Sequence, residues 1–137
     1  MKFYARMSKN STLTVLGRMT ARDGTGAYTG VRGEGNWLTQ SDVASITCSV
    51  YDTDGDGGTT TPVATPTVTL GTSIIVPDAT GHIWTKDAVG YNFIHDIANT
   101  AFANSNHRYS VVYIVTLNNG AVFTGTWSGM PADPLDE

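Results

Sequence analysis

A chain of 137 residues, 40% hydrophobic and 15% charged with a net charge of −4, is long enough for one domain with its own core. Its charged fraction falls well below the roughly 25% of ordinary soluble domains, and strand- and turn-forming Thr, Ser, Asn and Gly fill the gap. The lone Cys48 excludes an intrachain disulfide and a Cys-rich metal cluster, the balance of eight basic to twelve acidic residues argues against a nucleic-acid binder, and no apolar run approaches the roughly 20 residues that span a bilayer.

The first ten residues, Met1-Lys2-Phe3-Tyr4-Ala5-Arg6-Met7-Ser8-Lys9-Asn10, carry basic charge but no apolar h-region. They are therefore not a secretory signal, and the mature chain is expected to begin at Met1. Residues 1–32 hold six basic residues against Asp23 alone, a net of +5, while the rest of the chain carries −9. Two readings stand: a scatter of surface charge, or a basic arm over residues 1–11 that meets an acidic surface on a neighbour or on a copy of the chain. In the second reading Phe3 and Tyr4 are aromatic anchors, and Lys2, Arg6 and Lys9 supply the charge.

Thr12 to Thr20 sets Leu13, Val15, Gly17 and Met19 against Thr12, Thr14, Arg18 and Thr20, which predicts a half-buried strand with Leu16 out of phase. Asp23 through Gly35 is too rich in glycine for a regular element and reads as loop. Ser45 to Tyr51 predicts a second strand with Ile46, Cys48 and Val50 on its inner face. Cys48, inside that alternation and with no neighbouring base, reads as a buried, inert thiol. Short strands are expected at Thr67–Leu70 and Ile74–Val76, punctuated by Pro66, Gly71 and Pro77. Tyr91 to Ile97 presents Tyr91, Phe93, His95 and Ile97 together, and a helical turn is expected around Asn99–Phe102.

The hairpin Tyr109–Leu117, Asn118-Asn119-Gly120, Ala121–Trp127 admits two turns. A two-residue turn mixes polar and apolar residues on both faces. A three-residue loop with Gly120 left-handed puts Leu117 opposite Ala121, gathering Val111, Tyr113, Val115 and Leu117 with Phe123 and Trp127. One face must be buried, so the segregated register is expected. The sum is an all-β chain: an immunoglobulin-like β-sandwich of about seven antiparallel strands over residues 12–130, an N-terminal arm over 1–11 and an acidic tail over 131–137.

Candidate chemistry is sparse. Asp52-Thr53-Asp54-Gly55-Asp56-Gly57 opens like a calcium loop, which makes Asp52, Asp54 and Asp56 weak candidate ligands. The twelfth position holds Val63 instead of the closing Glu, and Pro62 and Pro66 block a following helix, so a solvated loop is the rival reading. His82, His95 and His107 lie 13 and 12 residues apart on different elements, without zinc spacing. Gly24-Thr25-Gly26 precedes no helix and lacks the setting of a phosphate loop. No nucleophile elbow frames a serine, and His95 and Asp96 point to opposite faces of one strand. These observations predict no enzyme and no cofactor. Trp127 is expected in the core, whereas Trp37 and Trp84 lie in loop-like surroundings and are candidate partner contacts.

Two stretches carry a resemblance. One is Thr20-Ala21-Arg22-Asp23-Gly24-Thr25-Gly26 leading to Gly35-Asn36-Trp37-Leu38-Thr39-Gln40-Ser41-Asp42-Val43-Ala44-Ser45-Ile46-Thr47-Cys48-Ser49-Val50-Tyr51-Asp52. The other is Trp84-Thr85-Lys86-Asp87 with Gly90-Tyr91-Asn92-Phe93, ending in Tyr109-Ser110-Val111-Val112-Tyr113. Together they resemble small proteins encoded among the virion genes of tailed bacteriophages and prophages and, more distantly, the immunoglobulin-like N-terminal domains of phage baseplate upper proteins. The likeness spans most of residues 12–127; segment 1–11 and the long Asp52–Thr61 loop depart from it. It implies a non-enzymatic virion component that assembles with other virion proteins, capsid or tail lattice, and with copies of itself. A capsid decoration (cement) protein is the first expectation. A neck, tail or baseplate piece, or a free sugar- or cell-surface-binding module, is the alternative.

Overall fold

The described residues run, in chain order, through β1 (Lys2–Met7), β2 (Leu13–Arg18), β3 (Thr20–Ala21), β4 (Tyr28–Thr29), β5 (Asn36–Trp37), β6 (Val43–Asp52), one α-helical turn α1 (Leu70–Ser73), β7 (Ile74–Ala79), β8 (Tyr91–Ile97), β9 (Tyr109–Leu117) and β10 (Val122–Gly129). The computed structural model describes residues 2–7, 12–21, 28–29, 36–79, 91–104 and 107–130, with backbone alone at 2–7, 21, 28–29, 36–37 and 74–79. All described strand pairs are antiparallel: a four-stranded sheet in the order β1-β2-β8-β7, a three-stranded sheet β10-β9-β6, and a small sheet β3-β5-β4.

The hairpin β9–β10 takes the segregated register. Phe123 pairs with Val115 and Trp127 with Val111, and the turn closes through Leu117 N–H to Ala121 O at 2.8 Å and Gly120 N–H to Leu117 O at 3.0 Å. Gly120 sits at φ +91°, where a Cβ would be strained. In β6 the register slips between Val43 and Ser45. That bulge lets Val43 and Ile46, three apart, both point inward.

Two sheets face each other across one apolar core, a sandwich-like arrangement. Leu13 and Val15 of β2 and Phe93 and Ile97 of β8 pack in one cluster with Ile46, Cys48 and Val50 of β6 and the inward side of β9. Tyr113 and Val115 are fully buried there, whereas Phe123 and Trp127 are half-buried at its margin. β10 is an edge strand, and that limits how far its inward side chains are covered.

Several expectations need correction. The segment read as a projecting basic arm is, over Lys2–Met7, an edge strand bonded along β2 and lying beside β10. Phe3, Ala5 and Met7 alternate with Lys2, Tyr4 and Arg6, a period of two that the charges conceal. β2 is consequently central. Leu13 to Gly17 are all buried, and Leu16, out of phase on one face, is covered on the other. Tyr28–Thr29, expected as loop, pairs with β5. Thr67–Thr69 is not strand and leads into α1. β7 runs through Pro77, which is tolerated because β7 is an edge and its register shifts between Ile74 and Ala79. The 3-10 turn at Asn99–Ala101 matches expectation. The tail 131–137 lies outside the described residues.

Asn92 holds the small sheet to the large one. Fully buried, it accepts from Met19 N–H at 2.7 Å and donates from Nδ2 to the carbonyls of Met19 at 3.0 Å and Leu38 at 2.8 Å. Leu38 N–H also donates to the Met19 carbonyl at 3.0 Å, so Asn92 reinforces a backbone link between the chain ends flanking β3 and β5 and gives the Met19 N–H and the Leu38 carbonyl their partner.

Candidate interaction face

The outward side of β6–β9–β10 is the most distinctive surface among the described residues. Strand pairing sets it in four rows of three: Ser45–Thr116–Val122, Thr47–Ile114–Thr124, Ser49–Val112–Thr126 and Tyr51–Ser110–Ser128. No residue in the twelve carries a formal charge, and most are β-branched. Ile114 is 41% and Val122 59% exposed, large apolar side chains left open on the sheet surface. Alternation along each strand produces this face as the obverse of the core, and the bulge at Val43/Ser45 keeps β6 in phase with it.

The residues expected to contact partners are not gathered there. Phe3, Tyr4 and Arg6 lie in β1, with register partners Gly17, Leu16 and Thr14. Trp37 is in β5, paired with Thr20 and Tyr28 and so in a short strand, not a loop. Lys9 and Trp84 lie outside the described residues. The sequence already separated the outward residues of β9 and β10, but only the β6–β9 pairing adds the third strand.

The acidic loop is bound to protein groups. Asp52 is buried, and His107 Nδ1 lies 2.9 and 2.8 Å from its two oxygens. A carboxylate only accepts, so Nδ1 carries the proton. Asn104 Nδ2 and the Asp54 N–H also donate to Asp52, each at 3.2 Å. Asp54 in turn accepts the Arg108 N–H at 2.8 Å, while the Thr53 N–H and hydroxyl both donate to the Arg108 carbonyl. Burial pushes the Asp52 carboxyl up, but the hydrogen bonds from His107 and Asn104, the His107 charge and the Asp54 N–H outweigh it and leave it below the usual carboxylate range. Asp56 is exposed. Among the described residues no three His, Cys, Asp or Glu side chains converge as metal ligands.

A second polar chain crosses the core. His95 Nε2 lies 3.0 Å from the Thr67 carbonyl, and its Nδ1 lies 2.8 Å from the Tyr113 hydroxyl. The carbonyl can only accept, so Nε2 carries the proton and Nδ1 accepts from Tyr113. Tyr113 is also hydrogen-bonded to Cys48, whose thiol burial pushes up to about 12. Such a thiol is a packing residue rather than a nucleophile. The shallow depression of about 350 Å³ beside His95 is lined also by Thr67, Thr69, Thr72, Ser73, Ile94 and Asp96, and both ring nitrogens of His95 are already taken up by the Thr67 carbonyl and the Tyr113 hydroxyl.

No family model, curated protein or solved structure matches this chain significantly. Among the described residues no helix is long and apolar enough to cross a membrane.

Proposed function

We propose that this chain is an immunoglobulin-like assembly module and a non-enzymatic structural subunit of a bacteriophage particle, with the capsid surface, as a decoration (cement) protein, its first placement. The strand order supports the immunoglobulin-like reading. Taking β1, β2, β6, β7, β8, β9 and β10 as A to G turns the two main sheets into A-B-E-D and G-F-C. Tyr109, at the start of the F position, has its hydroxyl tied back to Asn104, accepting its N–H at 2.9 Å and donating to its carbonyl at 3.3 Å. That is the form of a tyrosine corner. The chain departs from antibody domains in lacking a disulfide between the sheets and in inserting β3–β5 between B and C.

The single observation that carries the assembly reading is the four-by-three uncharged face on the G-F-C side. A surface empty of charge, with Val112, Ile114 and Val122 as near neighbours among hydroxyl side chains, has the charge-depleted composition of a protein contact surface. The interior polar groups, by contrast, bond to one another. Placement in a virion rests on the sequence resemblance, which the capsid, neck, tail and baseplate readings share. Quantitative mass spectrometry of purified particles tests the proposal. Many copies per particle fit a capsid or tail lattice, a few fit a neck or baseplate, and none would overturn the virion role.

A further inference from the structure

We infer that the outward face of β6–β9–β10 docks against the same face of a second copy of this chain, about a two-fold axis lying between the sheets and running across the strands. The inference deepens the assembly reading by naming one partner of that surface. Charge is the first argument. Each copy carries −4 overall, so two copies repel wherever acids meet. Across these twelve positions no like charges oppose and no ion is desolvated. An acidic or basic partner would find nothing complementary here, whereas the chain's own face is uncharged and β-branched in the same measure.

Symmetry then selects one arrangement. A two-fold axis along the strands would set the 52–56 loops of the two copies side by side, bringing acid against acid. An axis across the strands keeps β9 over β9 but reverses it, so the acidic loops fall at opposite ends. The same rotation exchanges the two middle rows, and Ile114 of each copy then covers Val112 of the other. The contact is isologous and closes at a dimer.

Area sets the strength. Three strands at about 4.8 Å and eight residues at about 3.3 Å give a footprint near 14 by 26 Å, roughly 370 Å² per copy. For the pair that is about 740 Å², below the roughly 1,000 Å² that a stable specific interface clears and in the range of weak, transient contacts. The dimer is therefore weak and concentration-dependent in solution, and is reinforced where many copies are held on one lattice.

Sedimentation equilibrium of the full chain over a wide concentration range is the test, run beside Ile114→Lys, Val122→Lys and a control, Thr69→Lys, on the exposed loop away from this face. The expected result is a monomer–dimer equilibrium weakened at least about tenfold in both face variants and unchanged in the control. Thermal melts establish that the variants fold; Val122, on an edge strand and more exposed, is the safer substitution should Ile114→Lys unfold. A wild-type chain monomeric at its solubility limit would overturn the inference, as would a dimer that neither face substitution weakens. Particle binding by a strictly monomeric chain would defeat this inference alone. Dimerisation without any particle association would defeat the virion reading alone.

Discussion

The Tyr113 hydroxyl lies 2.8 Å from His95 Nδ1, and this bond links β9 of one sheet to β8 of the other inside the shared core. Tyr113→Phe keeps the ring, and its edge-on packing against Phe93 at 5.1 Å, but leaves Nδ1 a buried acceptor without its donor. The expected loss is about 1–3 kcal/mol in urea denaturation at neutral pH. A change within a few tenths would mean that the bond contributes nothing to holding the sheets together.

Acid should destabilise the fold in two windows. Burial lowers His95 below the ordinary imidazole value, against the pull of the Thr67 carbonyl and the Asp96 charge. A lowered folded-state value means the unfolded chain takes the proton first, so stability falls as pH drops below about 6.5. Asp52 is also lowered, so its contribution is complete above the unfolded carboxylate value and is lost as pH falls below about 4. Melting temperature followed from pH 8 to 3 should show both declines. Asp52→Asn should flatten the lower decline and leave the upper; a single window in the wild type would contradict this assignment.

Asn92 makes three hydrogen bonds to backbone from a fully buried position. Asn92→Ala strips partners from Met19 and Leu38 and opens a cavity. A loss of roughly 3 kcal/mol or more is expected, because each unsatisfied buried group costs about 1–3 kcal/mol. Hydrogen exchange at Met19 should accelerate more than exchange in the β9–β10 hairpin, and equal acceleration would remove the local role given to this side chain.

Trp127 lies over Gly129, where an added Cβ would come within 2.7 Å of the indole ring. Gly129→Ala must therefore displace the ring from the core margin, at about 1–3 kcal/mol, with a red shift of tryptophan emission. Unchanged stability and emission would show that the ring has room to move.

Much of the all-β character was legible from local pattern. The 118–120 turn and the segregation of Val111, Tyr113 and Val115 from Val112 and Ile114 fixed the hairpin, because a one-residue slip would have mixed the faces. What depended on distant pairing was hidden. β1 is ordered through β2, and Lys2 and Arg6 mask its alternation. Asp52 and His107 are 55 residues apart. Asn92 is one of three polar residues in β8, beside His95 and Asp96, and only the fold reveals the two backbones it bonds. The candidate face was half visible for the same reason: β9 and β10 declare their outward residues locally, but the contribution of β6 needs the sheet. Attention to aromatic and basic residues pointed to Phe3, Tyr4, Trp37 and Trp84, none of which belongs to the twelve positions of that face.

The central claim is that the uncharged face is what assembles. It is tested most directly by comparing incorporation of the wild-type chain and of Val122→Lys into purified particles, with equal folding verified beforehand. The account predicts that the wild type is recovered with the particles and that the variant, folded and soluble, is largely left behind. Equal recovery of both chains would contradict it.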